Sequence, residues 1–155
     1  MGCVVLGLLL AALVTWTNAE PMLVGRGIAD MTGLASEGIL YGFANPNLDA
    51  RGLHLRQYSR AFIFENDGKR LVFVVGEVCM FSQAFRDEIM EELADLYGDL
   101  YTYDNVMFSP THSHATPGGW HTYWMYQSVS GGWVEDTVRL NVNGVIKSIQ
   151  MAHED

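Results

Sequence analysis

Basic side chains are scarce in this sequence: nine Lys and Arg stand against eighteen Asp and Glu, giving a formal net charge of −9 at pH 7. That balance argues against nucleic-acid binding, because phosphate contacts need clustered Lys and Arg. It argues equally against a polybasic membrane patch. Cysteine is scarcer still, with Cys3 and Cys79 alone. Several catalytic signatures are also missing. There is no G-x-S-x-G elbow and no P-loop lysine pattern. The spacing of Gly25, Gly27 and Gly33 does not match a dinucleotide fingerprint.

The amino-terminal stretch has no charge at all. Met1 to Ala19 reads MGCVVLGLLLAALVTWTNA, and Cys3 to Val14 has the length of a signal-peptide apolar core rather than of a span, which needs roughly 20 apolar residues. Thr17-Asn18-Ala19 resembles a small-residue cleavage site, so a signal peptide over 1–19 and a secreted chain starting near Glu20 are expected, although no basic residue precedes the apolar run. No transmembrane span is expected elsewhere. Met1-Gly2-Cys3 begins like an acylation signal, but Leu6 stands where Ser or Thr is required. Without the leader about 136 residues remain, enough for one domain. Cys3 would leave with the leader, so no internal disulfide can form and stability must come from the core or a metal.

Gly25 to Gly52 is irregular and glycine-rich, and its pattern supports loops and short strands only. From Leu53 apolar and polar residues alternate, which puts His54 on a strand face. Ala61–Phe64 and Leu71–Val75 flank the turn residues Asn66-Asp67-Gly68, the signature of a hairpin. Ser82 is placed to cap a helix whose apolar positions are Phe85, Ile89, Leu93, Leu96 and Tyr97, with Gly98 ending it. Asp87, Glu88, Glu91, Glu92 and Asp95 then form its solvated face. Val106–Phe108 reads as another short strand, and Val134–Ala152 as a second helix interrupted by Asn141, Asn143 and Gly144. The expected class is α/β: a partial mixed sheet with a strand-helix-strand unit, its two strands parallel, and a following helix. In such sheets sites gather beyond the carboxyl ends of the strands.

SPTHSHATPGG, Ser109 to Gly119, begins at that position. If the segment is extended, His112 and His114 face one direction and Ser113 the other. Both imidazoles then reach one metal, or one binds while the other orients a ligand. A lone H-x-H is equally compatible with solvated loop histidines, and a hydrolytic zinc needs about three protein ligands. His121 sits among Trp120, Tyr123 and Trp124, an aromatic wall or interface loop. His153 lies near a helix end, where the helix dipole accounts for it. Cys79 has no basic neighbour in sequence and reads as a buried, inert thiol.

Several stretches together resemble one family. Gly27-Ile28-Ala29-Asp30-Met31-Thr32-Gly33, Tyr41-Gly42-Phe43-Ala44 and Gly52 through Ile63 are similar to the opening of the neutral ceramidases. The likeness continues through Cys79-Met80, Ser82-Gln83, Tyr97-Gly98, Asn105-Val106, Thr111-His112-Ser113-His114 and Pro117-Gly118-Gly119. The resemblance implies hydrolysis of the ceramide amide to sphingosine and a fatty acid, at a membrane or micelle surface. It also implies a zinc held by two histidines, a glutamate and a tyrosine, with water activated by the metal as the attacker. Within the motif it assigns His112 as a zinc ligand and His114 as a substrate-orienting neighbour.

Departures from the family pattern fall near the corner. Pro110 precedes the motif where Gly is usual, Ala115-Thr116 follow where Ser-Gly is usual, Glu77 replaces an Asp, and Leu34 replaces a Pro. These bear on pocket detail and substrate choice. Family members run to several hundred residues, so the chain is expected to be the amino-terminal part of the catalytic domain, over 20–155. The remaining zinc ligands and catalytic residues would lie beyond Asp155, and the piece would be inactive alone. The competing expectation is a non-catalytic secreted paralogue that binds lipid or protein through Trp120, Tyr123, Trp124 and Trp133.

Overall fold

The structure is a computed structural model in which residues 21–155 are described. The expected leader, Met1 to Ala19, lies outside the described residues. Among the described residues six strands, three α-helices and a short 3₁₀ turn follow one another: β1 (Leu23–Asp30), β2 (Ser36–Ile39), β3 (Asp49–Arg51), β4 (Tyr58–Asn66), β5 (Lys69–Gly76), α1 (Gln83–Tyr97), the 3₁₀ turn (Gly98–Leu100), β6 (Val106–Pro110), α2 (Trp124–Ser130) and α3 (Glu135–Glu154). Strands β1, β4, β5 and β6 form one sheet in that order, and β2 pairs with β3 apart from it. The expected α/β class with a partial mixed sheet is what the chain adopts.

The β4–β5 hairpin follows from its turn chemistry. Asn66 pairs with Lys69, leaving Asp67 and Gly68 as a two-residue loop, and both have positive φ, 51° and 70°. That turn matches the right-handed twist of antiparallel strands. β5 then runs through α1 into β6, and β5 and β6 are parallel, from Val72↔Val106 to Gly76↔Pro110. Ser82 caps α1 as its position suggested: its Oγ accepts from the Phe85 N–H at 3.2 Å and donates to the Trp120 carbonyl. Phe85, Ile89 and Leu93 are buried, whereas Leu96 is exposed.

The sequence expectation for Gly25 to Gly52 is corrected at its start. β1 is eight residues long and pairs with β4 along its whole length, Leu23↔Glu65 to Asp30↔Tyr58. The reason is tertiary. A Cβ at Gly25 would lie 1.9 Å from the Ala152 carbonyl oxygen, and one at Gly27 equally close to that of Ser148. The glycines that weaken the local strand signal are what lets α3 lie against the strand. The same contact explains Gly144 within α3, where a Cβ would meet Met31 at 2.4 Å, and Asn141, whose Nδ2 donates to the Met31 carbonyl. A second correction concerns Leu53 to Gln57, which is not a strand. Leu53 and Leu55 are exposed, so His54 sits in an irregular segment rather than on a strand face.

All the helical packing falls on one side of the sheet. Ala61, Ile63, Val72 and Val74 are buried there with Val145, Ile149 and Ala152 of α3 and with Phe85, Ile89 and Leu93 of α1. Ser59 and Ser148 hydroxyls meet at 2.8 Å across that interface. Val24, Ile28, Phe62, Phe64, Leu71, Phe73 and Met107 alternate with these residues and so occupy the opposite face. Among them Val24, Ile28, Leu71 and Met107 are exposed. No described helix or strand covers that side.

Candidate metal centre and the pocket beside it

The parallel pairing of β5 with β6 brings two loops together at the carboxyl ends of these strands. Thr111 N–H donates to the Gly76 carbonyl at 3.0 Å, which ties the start of the histidine segment to the end of β5. Beyond that bond the chain is not extended. His112 has φ = 60°, a left-handed conformation that side chains with a Cβ adopt at a cost. The expected extended geometry for 111–114 is thus replaced by a kink, yet His112 and His114 still converge, with ring centroids 4.9 Å apart.

The kink turns His112 toward the loop after β5. Its Nδ1 lies 3.1 Å from the Cys79 carbonyl oxygen and 3.8 Å from the Cys79 Sγ. A hydrogen on Nδ1 donated to that carbonyl leaves Nε2 unprotonated, the arrangement that fixes a metal-binding tautomer. His114 is held from its other side. Phe43 meets it edge-on at 5.1 Å, and Gly42, φ = 103°, lies so close that a Cβ would be 2.6 Å from the ring. Here glycine is required both by φ and by space.

Cys79 completes the group. Its Sγ and a ring nitrogen from each of His112 and His114 lie within 4.8 Å of one another. The thiol is buried as its sequence context suggested, and burial raises its pKa. Its surroundings, however, are not those read from sequence. Two imidazoles stand beside it, brought from 33 residues away in the case of His112. The described residues therefore hold a Cys/His/His cluster of a type that binds transition metals.

A cavity of about 520 Å³ opens next to this corner, walled by Leu34, Leu40, Leu53, His54, Thr111 and Thr116 among others. Its floor includes Glu77, whose carboxylate accepts from the Tyr58 N–H at 2.9 Å and from Arg60 Nη1 at 2.6 Å. The Glu at this position thus ties the end of β5 to the start of β4. His54 belongs to the cavity wall and not to the metal cluster. Ser113 and Ala115 face the same cavity.

The other histidines are used differently. His121 is 4% exposed and lies between Tyr41, at 4.9 Å, and Tyr126, at 4.8 Å, with Trp120 against it. Neither of its ring nitrogens has a hydrogen-bond partner among the described residues, and burial lowers its pKa. His153, beyond any dipole interaction, accepts at Nδ1: Tyr101 Oη is 2.6 Å away and Arg70 Nη1 3.3 Å. The aromatics divide in two. Trp120 is fully buried, and Trp133 is half-buried with its Nε1–H donating to Glu135 at 3.0 Å. Tyr123 and Trp124 are exposed, the latter by 82%.

Comparison with known proteins agrees with this architecture. Residues 22–155 match the family described as neutral/alkaline non-lysosomal ceramidase, N-terminal. The chain is 43% identical over 139 residues to a neutral ceramidase of Oryza sativa subsp. japonica, covering 89% of this chain and 18% of the relative. It is 38% identical over 136 residues to the neutral ceramidase of Mycobacterium tuberculosis, covering 85% and 21%. A crystal structure of the neutral ceramidase from Pseudomonas aeruginosa superposes with a TM-score of 0.84 at 36% identity, over 86% of this chain and 22% of that one. The chain thus spans about a fifth of the length of these relatives.

Proposed function

Because this chain belongs to the neutral/alkaline non-lysosomal ceramidase family, we propose that it forms the amino-terminal part of the catalytic domain of a secreted, zinc-dependent amidohydrolase that cleaves ceramide to sphingosine and a fatty acid. His112 is one metal ligand in this reading, and His114 orients the substrate. The observation that carries it is the Nδ1 contact of His112 with the Cys79 carbonyl at 3.1 Å, which presents Nε2 as a free donor at the carboxyl end of a parallel strand pair.

Zinc at such a site lowers the pKa of water and polarises the amide carbonyl. The protein's own contribution is positional. The strained backbone at His112 aims its imidazole, while Gly42 and Phe43 fix the plane of His114. The adjoining cavity, with Leu34, Leu40 and Leu53 in its wall, offers an apolar surface to a lipid chain. One imidazole does not hold a catalytic zinc, so this chain alone is expected to be inactive. The decisive experiment replaces the matched segment of the Pseudomonas aeruginosa relative with residues 22–155 and measures sphingosine release from ceramide. Activity should persist in the chimera and fall more than about 100-fold with His112→Ala. Activity unaffected by that substitution would remove His112 from the site.

A second reading, lipid or protein binding without catalysis, draws support from the exposure of Tyr123, Trp124 and Met125. Trp120 and Trp133 no longer contribute to it, being engaged in the fold. Those exposed residues also suit an enzyme that meets its substrate at a membrane or micelle surface, where aromatic rings sit well. Co-sedimentation of the chain with ceramide-containing vesicles, compared with Trp124→Ala, tests that surface. Equal sedimentation of both would dismiss it.

A further inference from the structure

The cage around His121 joins α2 to the rest of the fold. We propose that residues 121–132 form a hinged lid latched by the neutral imidazole of His121, and that protonation of this imidazole in mildly acidic solution releases the lid while the sheet and its helices stay folded.

The neck of the lid is closed and fixed. Trp120 and Trp133 form an antiparallel bridge, the Val134 N–H donates to the Gly119 carbonyl at 2.7 Å, and the Trp120 carbonyl accepts from Ser82 Oγ at the N-cap of α1. Between these anchors the chain runs out through α2 and returns over Gly131 and Gly132, whose φ values are 82° and 76°. Glycine takes such a succession without strain. A Cβ at Gly132 would meet nothing within 4 Å, so the pair is a hinge in open space. α2 itself has no substantial packing against any other helix or strand. Its outer residues Tyr123, Trp124 and Met125 are exposed, and Tyr123 Oη donates to the Gln83 side chain at 3.1 Å where both are exposed.

The inward attachment is a stack of rings. His121 lies between Tyr41 of the body and Tyr126 of α2, with centroids at 4.9 and 4.8 Å and interplanar angles of 27° and 21°. Trp120 flanks it at 4.9 Å. No hydrogen bond fastens the imidazole: both ring nitrogens of His121, and Nε1 of Trp120, are buried without a partner among the described residues.

A neutral ring is held there by burial and stacking. Once protonated, it carries two N–H donors and a charge. The titratable groups facing it are the hydroxyls of Tyr41 and Tyr126, and the buried Cys79 thiol stands behind Tyr41. Burial pushes the Tyr41 hydroxyl well up, so it supplies no negative charge. From α1 the neighbour is Phe85, stacked on Trp120, and no carboxylate is paired with the imidazole among the described residues. The aromatic faces attract a cation but accept neither N–H in the ring plane, whereas water does both. The sign agrees with this: burial lowers the pKa of His121 from its ordinary 6.5. The closed lid is therefore fully favoured above that value and loses ground as the pH falls, the open population growing by up to about tenfold per pH unit.

The test is hydrogen–deuterium exchange of the full chain, read by peptide mass spectrometry one pH unit above and one below 6.5 and corrected for the intrinsic pH dependence of exchange. Peptides covering residues 121–132 should lose protection by about fivefold to tenfold at the lower pH, while those from β4, β5 and α1 keep theirs. In His121→Phe the ring remains and the proton does not, so the lid should hold its protection at both pH values. Unchanged lid protection in the unsubstituted chain would overturn the proposal, and that comparison needs no variant to fold. An equal loss across all peptides, which is global unfolding, would overturn it too, as would a loss that persists in His121→Phe.

Discussion

His112 and His121 are nine positions apart on the same excursion beyond β6, and their surroundings are opposite. His112 is exposed, has a backbone acceptor at Nδ1 and leaves its other nitrogen open. His121 is buried between two tyrosines and a tryptophan, with neither nitrogen partnered among the described residues. The difference separates an imidazole that is able to bind a metal, with one nitrogen fixed by an acceptor and the other accessible, from one that is not. Local histidine density does not do it. Burial of an imidazole among aromatic faces instead favours its neutral form, since no counter-charge stands beside it among the described residues.

The comparison is broken most severely by placing a fixed charge at each position. His121→Lys should destabilise the chain by about 3–5 kcal/mol, the cost of an unpaired buried charge, read from urea unfolding. His112→Lys, on the surface, should cost no more than about 0.5 kcal/mol. Similar costs at the two sites would mean that the cage is open to solvent.

A pH series sharpens the same contrast. Burial lowers the pKa of His121 from its ordinary value of 6.5. Below that value the unfolded chain takes up a proton that the folded chain refuses, so stability is full above pH 6.5 and falls as the pH drops. The slope from this group is at most about 1.4 kcal/mol per pH unit. Unfolding midpoints at two pH values on either side of 6.5 measure it, with His121→Phe as the control that removes the group's share. An unchanged slope in that variant would assign the acid sensitivity elsewhere.

At neutral pH, His121→Phe keeps a ring of similar shape and deletes two unpartnered nitrogens. It should be neutral or stabilising by about 1 kcal/mol. A clear loss of stability would reveal that those nitrogens are satisfied after all. The smallest effect is expected at the corner. His112→Gly relieves a left-handed backbone and should raise stability by less than about 1 kcal/mol while removing the proposed ligand. A gain in thermal midpoint together with lost sphingosine release in the chimera is the expected pair of results.

What was readable beforehand follows from how local each cause is. The Asp67-Gly68 hairpin, the Ser82 cap and the apolar stripes of α1 and α3 depend on neighbours within a few positions, and they appear where the sequence puts them. β1 depends on a partner strand and on a helix more than a hundred residues away, so Gly25 and Gly27 looked like loop residues. The leucines at 53 and 55 alternate as a strand would but serve the wall of a cavity. At the site, the two histidines were visible as a motif. The third member of the cluster, Cys79, was not, because nothing in its own neighbourhood signals the imidazoles that chain topology sets beside it.

The side of the sheet left bare by every described helix has a practical consequence. Rows of Phe, Leu, Ile, Val and Met across a mixed sheet that ends in a parallel strand pair are ordinarily sandwiched between layers, and in water they behave as an adhesive. Preparations of this polypeptide should clump as they are concentrated, clump faster when sulfate is added, and bind tightly to phenyl resin. A Leu71→Lys and Met107→Lys double change on that side should loosen all three behaviours while leaving the histidine corner untouched.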